Sequence, residues 1–476
     1  MTQIAPEARA ALNAAIELAQ RMGYEPDRTD VLAWPIPLLL THTGNAARFA
    51  AKYGDRVRFT VGRGWLAWDG KRWAEDVNEG AVTAYMQQIA RDWFDQAGRE
   101  DNEDTRKAIA RHASRSLNRD GLVNSLAQAT KVDGILARDD DFDADPFILN
   151  AQNGIVDLRT GELRPHDPAA MCSRVAGVDY DPTAKAPRWE QFLREIFAGN
   201  DDLVQFVRRW GGYCLTGDTR EQRYLIAWGD GANGKSTLFD ALRHVMGDYA
   251  VDISTAALAA KREASNLNSD IARLPGARLA VAPEWDEDLR ADEVMLKSLT
   301  GQDVISVRTL YQKPFDFRPR CKIVIHGNHK PGLRGSDGGT WRRPLLVPFT
   351  EVFTGSRRDD RLADTLKAEA PGILADLVRG CREWQREGLA VPQCVQTATE
   401  QYREDSNDVL QFIAAQCVQH PHARATVGKL HAEYSRWGGA IRTAKRFGMA
   451  LREAGFETER TKHGFQVLGL GIESDG

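Results

Sequence analysis

The sequence predicts an α/β protein with a parallel-sheet core, a small α+β domain before it and a winged-helix-like domain after it. Three observations predict this. Apolar strands alternate with helical stretches between Arg223 and Thr350, the pattern of a mostly parallel sheet covered by helices. Short aromatic strands with Gly turns come before that stretch. After Asn407 the chain reads helix, helix, helix, then a short strand pair around Gly464-Phe465-Gln466-Val467, an order that suits a winged helix.

The chain's 476 residues suffice for about two to four domains with buried cores. Hydrophobic residues at 42%, charged residues at 27% and a formal net charge of -4 describe a soluble chain and exclude neither nucleic acid nor protein partners. Six cysteines, at 172, 214, 321, 381, 394 and 417, are scattered without a Cys-x-x-Cys pair, so reduced thiols in the cytoplasm are expected and no zinc site is. The Ala-rich stretch from Met1 to Met22 is broken by Glu7, Arg9, Glu17 and Arg21 and reads as an amphipathic helix rather than an export signal. The longest apolar run, Val31 to Leu40, carries Pro35 and Pro37 and falls well short of the roughly 20 residues that span a bilayer.

Residues 1–150 read as an accessory domain. Arg56-Val57-Arg58-Phe59-Thr60 and Gly64 to Trp73 are strands with a turn at Asp69-Gly70, the strongest hairpin signal in the chain. Helical stretches Ala81 to Ala97 and Arg106 to Ala129 follow. Residues 151–222 form a collar, with strand and turn signals over Asn150 to Glu162 and a helix over Trp189 to Gly212. Residues 223–355 form the core, with strands Arg223 to Trp228, Arg278 to Ala282, Lys322 to Gly327 and Leu345 to Val347. A helical linker, 356–406, leads to the C-terminal domain, 407–476.

Gly229-Asp230-Gly231-Ala232-Asn233-Gly234-Lys235-Ser236 matches two glycines flanking four residues, then Lys and Ser. The glycines let successive N–H groups face phosphate oxygens. Lys235 would reach the β and γ phosphates of ATP, and the Ser236 hydroxyl, followed by Thr237, would ligate Mg2+. A strand precedes the motif and an amphipathic helix follows it, which separates it from an ordinary glycine turn. Arg278 to Ala282 is a strand running through Pro283 into Glu284, and a carboxylate there would polarise the attacking water or hold the metal through water. Asp286 and Glu287 are lesser helpers. Lys322 to Gly327 ends in Asn328, whose amide would orient the water, although Asn before His-Lys-Pro is also good turn chemistry. Arg342 and Arg343 precede the next strand; an arginine supplied by a neighbouring subunit could stabilise charge on the γ phosphate.

With those residues in hand, the stretch from about Asn150 to Phe349 resembles the helicase part of the phage and plasmid primase-helicase family, related to the poxvirus primase-helicase and to superfamily-three helicases. The resemblance rests on Asn153 to Leu158 with Thr160-Gly161, Asn233-Gly234-Lys235-Ser236-Thr237, Leu296-Lys297-Ser298-Leu299-Thr300-Gly301, Gly327-Asn328-His329-Lys330-Pro331 and Trp341-Arg342-Arg343. Gly44-Asn45-Ala46 with the Trp65 to Trp73 hairpin looks like the family's accessory domain. The resemblance implies an AAA+-like core in a ring, commonly a hexamer, with ATP and Mg2+ between subunits. It makes Glu284 the acid, Asn328 the sensor and Arg342 or Arg343 the finger in trans. Pro283 stands where the family often has a small residue. The resemblance also implies a DNA-contacting hairpin: Val304 to Arg308 and Phe315 to Arg318 alternate as paired strands, with Tyr311 to Pro314 at the tip and Arg308 and Lys313 as DNA contacts.

The function expected is an ATP-dependent DNA helicase of phage or plasmid replication in a bacterial cytoplasm, moving on single-stranded or forked DNA as a homo-oligomer. A separate primase or loader is a possible partner. No primase activity is expected, because the stretch before Asn150 leaves no room for a polymerase-type site. One alternative is an ATP-regulated DNA-binding replication initiator without strong unwinding; another is an ATPase acting on protein. The C-terminal stretch Gln416 to His463 holds nine Lys or Arg against four Glu, opposite in sign to the whole chain, which fits a duplex or fork clamp and, equally, a solvated helix or a surface that docks on the core.

Overall fold

The computed structural model describes residues 39–260, 270–286, 289–307, 315–333, 338–438, 443–461 and 464–472. The expected N-terminal helix of Met1 to Met22, Glu287, and the DNA contacts Arg308 and Lys313 with the rest of the hairpin tip lie outside the described residues. The described chain divides into two compact units. One gathers the residues up to Asp157, residues 162–180 and Phe315; the other holds the rest.

The first unit contains α1 (His42–Tyr53), β1 (Val57–Thr60), β2 (Gly64–Trp68), β3 (Trp73–Glu75), α2 (Gly80–Gly98), α3 (Glu103–Leu117), α4 (Arg119–Ala129), β4 (Ile148–Ala151), β5 (Gly154–Asp157) and β6 (Glu162–Arg164). Both sets of strands are antiparallel meanders. The expected helix over Arg106 to Ala129 is two helices, broken where Asn118 adopts extended φ/ψ. Asn45 explains its motif. Buried at 1% exposure, it accepts from Trp93 Nε1 at 2.8 Å, donates to Ser116 Oγ at 2.8 Å and meets His112 Nε2 at 2.9 Å. A buried amide must find such partners or lose about 1–3 kcal/mol, so Asn45 brackets three helices rather than serving chemistry. Asn150 does the same for β4, donating to the carbonyls of Lys71 and Arg174.

The second unit begins with α5 (Pro187–Ile196) and α6 (Asp201–Cys214). These correct the single helix expected over Trp189 to Gly212, because Ala198 and Gly199 turn left-handed, at φ 52° and 74°, and Asn200 caps α6. The core follows as β7 (Tyr224–Trp228), α7 (Lys235–Met246), β8 (Ala250–Asp252), β9 (Leu279–Pro283), α8 (Glu293–Thr300), β10 (Ile305–Val307), β11 (Phe315–Phe317), β12 (Lys322–Gly327), α9 (Gly338–Trp341) and β13 (Pro344–Pro348). Five strands form one parallel sheet in the order β13-β7-β12-β9-β8. Leu279 to Ala282 and Ile323 to Ile325 are wholly buried, as covered parallel strands require. β10 and β11 pair in a separate two-stranded sheet.

Two buried cations fasten the sheet's N-terminal edge. Arg278 Nη1 donates to the carbonyl of Leu215 and Lys322 Nζ to those of Thr216 and Asp218, just past the end of α6. Helix C-termini leave carbonyls unpaired and favour positive charge. Burial pushes the Lys322 ammonium down to about 8.

Helices α10 (Leu362–Ala368), α11 (Ala370–Glu387) and α12 (Gln393–Asp405) lead to the last domain. That domain runs α13 (Asp408–Gln416), β14 (Cys417–Thr426), α14 (Val427–Trp437), α15 (Ala444–Glu453), β15 (Thr458–Thr461) and β16 (Gly464–Ile472). Its sheet is antiparallel in the order β14-β16-β15. It has its own core, built on Phe412, Leu430, Tyr434, Phe447, Leu451, Val467 and Leu470. The sequence reading missed β14.

Candidate active site

The parallel register brings three of the expected site residues to one edge. Gly327 pairs with Trp228, and His326 with Pro283. Gly229, Asn328 and Glu284 therefore leave the C-terminal ends of adjacent strands β7, β12 and β9. With strands about 4.8 Å apart, the ends of β7 and β9 stand about 10 Å from each other with β12 between them.

Within the loop, Gly231, Ala232 and Gly234 all have positive φ, at 99°, 47° and 83°. A Cβ on Gly229 would fall 2.2 Å from the Phe349 carbonyl oxygen, and one on Gly234 would fall 2.6 Å from Ile196 Cγ2, so packing as well as conformation demands glycine there. The loop is fastened from outside: Phe349 N donates to Trp228 O and Phe353 N to Ala232 O, each at 2.7 Å. α7 starts with no side-chain cap, leaving its first N–H groups free for an anion. Lys235 is buried, and its Nζ donates to Gly229 O at 2.6 Å. Burial lowers its pKa, against the pull of Asp230. Ser236 is exposed and Thr237 half-buried at the same helix end, while Asp230 and Ala232 face solvent and Asn233 is buried. These residues fit a nucleotide triphosphate with Mg2+. Among the described residues, no three His, Cys, Asp or Glu side chains form a metal cluster, and Mg2+ commonly needs only one or two protein oxygens beside phosphates and water.

Glu284 is exposed, with φ 54°, a left-handed conformation that costs a side chain about 1 kcal/mol. Its neighbours hold it there. Glu284 N donates to His326 O at 2.9 Å, the buried Trp285 donates from Nε1 to Leu289 O at 2.8 Å, and Gly327 lets the Trp285 backbone pass where a Cβ would sit 2.9 Å from its nitrogen. Asp286 is also exposed. The Asn328 side chain is exposed, and the residue's backbone carbonyl accepts from Trp228 Nε1 at 2.9 Å. Lys330 lies over the Trp228 ring at 4.6 Å and pairs with Asp405 at 3.7 Å, so the loop carrying Asn328 is tied to the residue before the phosphate loop and to the end of α12.

His326 was missed by sequence reasoning, since a lone His in an apolar run reads as core. It stacks on Phe239 of α7 at 5.3 Å, its Nε2 is buried without a hydrogen-bond partner among the described residues, and burial, helped by Arg243 and Lys235, pushes it down to about 4. It lies two residues before Asn328, and that closeness to the strand end was the signal available.

The two arginines are not brought to this edge. β13 pairs with β7 from Pro344↔Tyr224 to Pro348↔Trp228, so Arg342 and Arg343 sit about 20 Å or more of strand away from Gly229. They also differ from each other. Arg343 is buried and donates from Nη1 to Thr300 Oγ1 at 2.9 Å. Arg342 is exposed and holds Gln222 Oε1 at 3.0 Å.

Residues 46–198 match the family model described as D5 N terminal like, and residues 227–343 match a family of unknown function (DUF5906). The chain is 25% identical over 427 residues to "Putative helicase L207/L206" of Acanthamoeba polyphaga mimivirus, covering 80% of this chain and 44% of that protein. It is 25% identical over 383 residues to "Putative helicase 022R" of Frog virus 3 (isolate Goorha), covering 63% and 39%. The chain thus spans less than half the length of these curated relatives. The A-form apo structure of the NrS-1 C-terminal region aligns at 14% identity and a TM-score of 0.37, covering 65% of this chain and 88% of that one. No described helix is long and apolar enough to cross a membrane.

Proposed function

We propose that this chain, a member of the D5-related primase-helicase family, is an ATP-driven DNA helicase of phage or plasmid replication that works as a ring, commonly of six subunits. The observation that carries the reading is the convergence of Gly229, Glu284 and Asn328 on one end of three adjacent parallel strands. The strand order β13-β7-β12-β9-β8 is fifth, first, fourth, third, second in chain order, which supports an AAA+-like core. The C-terminal sequence of helix, strand, two helices and hairpin supports a winged helix.

In this reading the N–H groups at the start of α7 and the Lys235 ammonium bind the phosphates, with residues 229–237 forming the loop around them and Ser236 and Glu284 the residues that would hold Mg2+. When bound, Mg2+ would supply charge neutralisation to the phosphates. The Glu284 carboxylate accepts a proton from the attacking water, and the Asn328 amide orients that water. Arg342 is exposed and too far along the sheet to serve its own loop, so it reaches a neighbour's γ phosphate; Arg343 supports it from within the subunit. Arg308 and Lys313 grip phosphates of the translocating strand.

ATP hydrolysis in Mg2+, measured with and without single-stranded DNA, tests the proposal: DNA-stimulated turnover is expected. Hydrolysis indifferent to DNA would favour a protein-directed ATPase, and no hydrolysis would overturn the site.

A further inference from the structure

The C-terminal domain carries a surface that the motor does not use. α15 buries Phe447, Ala450 and Leu451 in the domain core and turns Lys445, Arg446, Met449 and Arg452 outward. These four fall at helical spacing on one face. None of the three cations has a carboxylate partner among the described residues, whereas Arg436 on α14 is paired with Glu433. Thr443 Oγ1 caps α15 by accepting from Arg446 N at 3.3 Å.

We infer that this outward face of α15 binds double-stranded DNA. A polyanion suits a row of unpaired cations. Three features select the duplex. The ten residues of α15 span about 15 Å, with cations toward both ends and Met449 between them, which matches a helix lying in a major groove about 12 Å wide with phosphates on either side. A single-strand site needs aromatic platforms in succession, and α15 shows none outward. An RNA duplex has a deep, narrow major groove that excludes a helix. The inference is independent of the ATPase reading, because it needs no nucleotide.

The test is fluorescence anisotropy of the full chain, without ATP, on a blunt 20-base-pair DNA duplex over a range of salt. Lys445→Glu/Arg446→Glu should weaken duplex binding at least about ten-fold and flatten the log-log salt slope by about 2, at roughly 0.9 per lost phosphate contact. Arg452→Gln should flatten it by about 1. Single-strand binding and DNA-free ATP hydrolysis should stay unchanged, as should duplex binding by Arg106→Glu/Lys107→Glu, an equal charge reversal on the exposed side of α3. Circular dichroism melting would confirm that each variant is folded. Unaltered duplex affinity and slope in the folded double variant, equal loss in the α3 control, or equally tight binding of an RNA duplex would each overturn the inference.

Discussion

Lys235 Nζ donates to the carbonyl oxygen of Gly229 at 2.6 Å, so the phosphate loop closes on its own lysine. A phosphate must replace that carbonyl as the partner of a buried ammonium, and no other cation in the loop can do so. Lys235→Ala should reduce ATP hydrolysis by roughly a hundred-fold or more and remove the thermal stabilisation that ATP confers. Turnover within a few-fold of the parent would place the site elsewhere.

Glu284 permits a sharper test, because its backbone is left-handed. Glu284→Gln should keep ATP binding and lose turnover by roughly a hundred-fold or more. Glu284→Gly should lose turnover equally but gain about 1 kcal/mol of stability, since glycine adopts φ 54° without strain. Chemical unfolding of the three proteins beside ATPase rates checks this. A Gly variant no more stable than the parent would show that Glu284 is not held under strain for its role.

Arg342 and Arg343 should separate. Arg343→Ala removes the bond to Thr300 from a buried site and should cost about 1–3 kcal/mol. Arg342→Ala should leave stability within about 0.5 kcal/mol but abolish hydrolysis, and mixing it with Lys235→Ala subunits should restore some activity at interfaces that pair an intact loop with an intact arginine. No recovery, with subunit exchange confirmed, would contradict a shared site.

Acid should loosen the first unit through His112. Burial, then His42, Arg115 and Arg48, push this ring from 6.5 down to about 4, so the folded state resists a proton that the unfolded chain accepts. Its stabilisation is complete above about pH 6.5 and is lost as pH falls toward 4. His112→Gln keeps an N–H for Asn45 and cannot titrate in this range. The urea midpoint of the variant should therefore fall less than the parent's between pH 7 and 4.5. An equal fall would assign the acid sensitivity to other groups.

The core strands were legible because β7, β9 and β12 are apolar runs ending in Gly229, Pro283-Glu284 and Asn328. Their order was not legible: inserting β12 between β7 and β9 depends on pairing between residues a hundred positions apart, which local pattern does not encode. Arg342 and Arg343 looked equivalent because adjacency hides the burial imposed by Thr300. β14 escaped notice because Gln419-His420-Pro421-His422 is polar and contains proline; the strand tolerates it where the register shifts between Gln419 and Arg424. The breaks at Asn118 and Ala198-Gly199 were hidden by helical periodicity continuing on both sides. The hairpin contacts Arg308 and Lys313 rest on the family resemblance.

The central claim, that ATP hydrolysis at the β7, β9 and β12 strand ends drives strand separation, is tested most directly by displacement of a labelled strand from forked DNA. The full chain with ATP and Mg2+ should release the strand, a non-hydrolysable analogue should not, and Lys235→Ala and Glu284→Gln should both fail. ATP-dependent binding of the fork with no strand released under any condition would contradict the account and leave a DNA-binding replication initiator in its place.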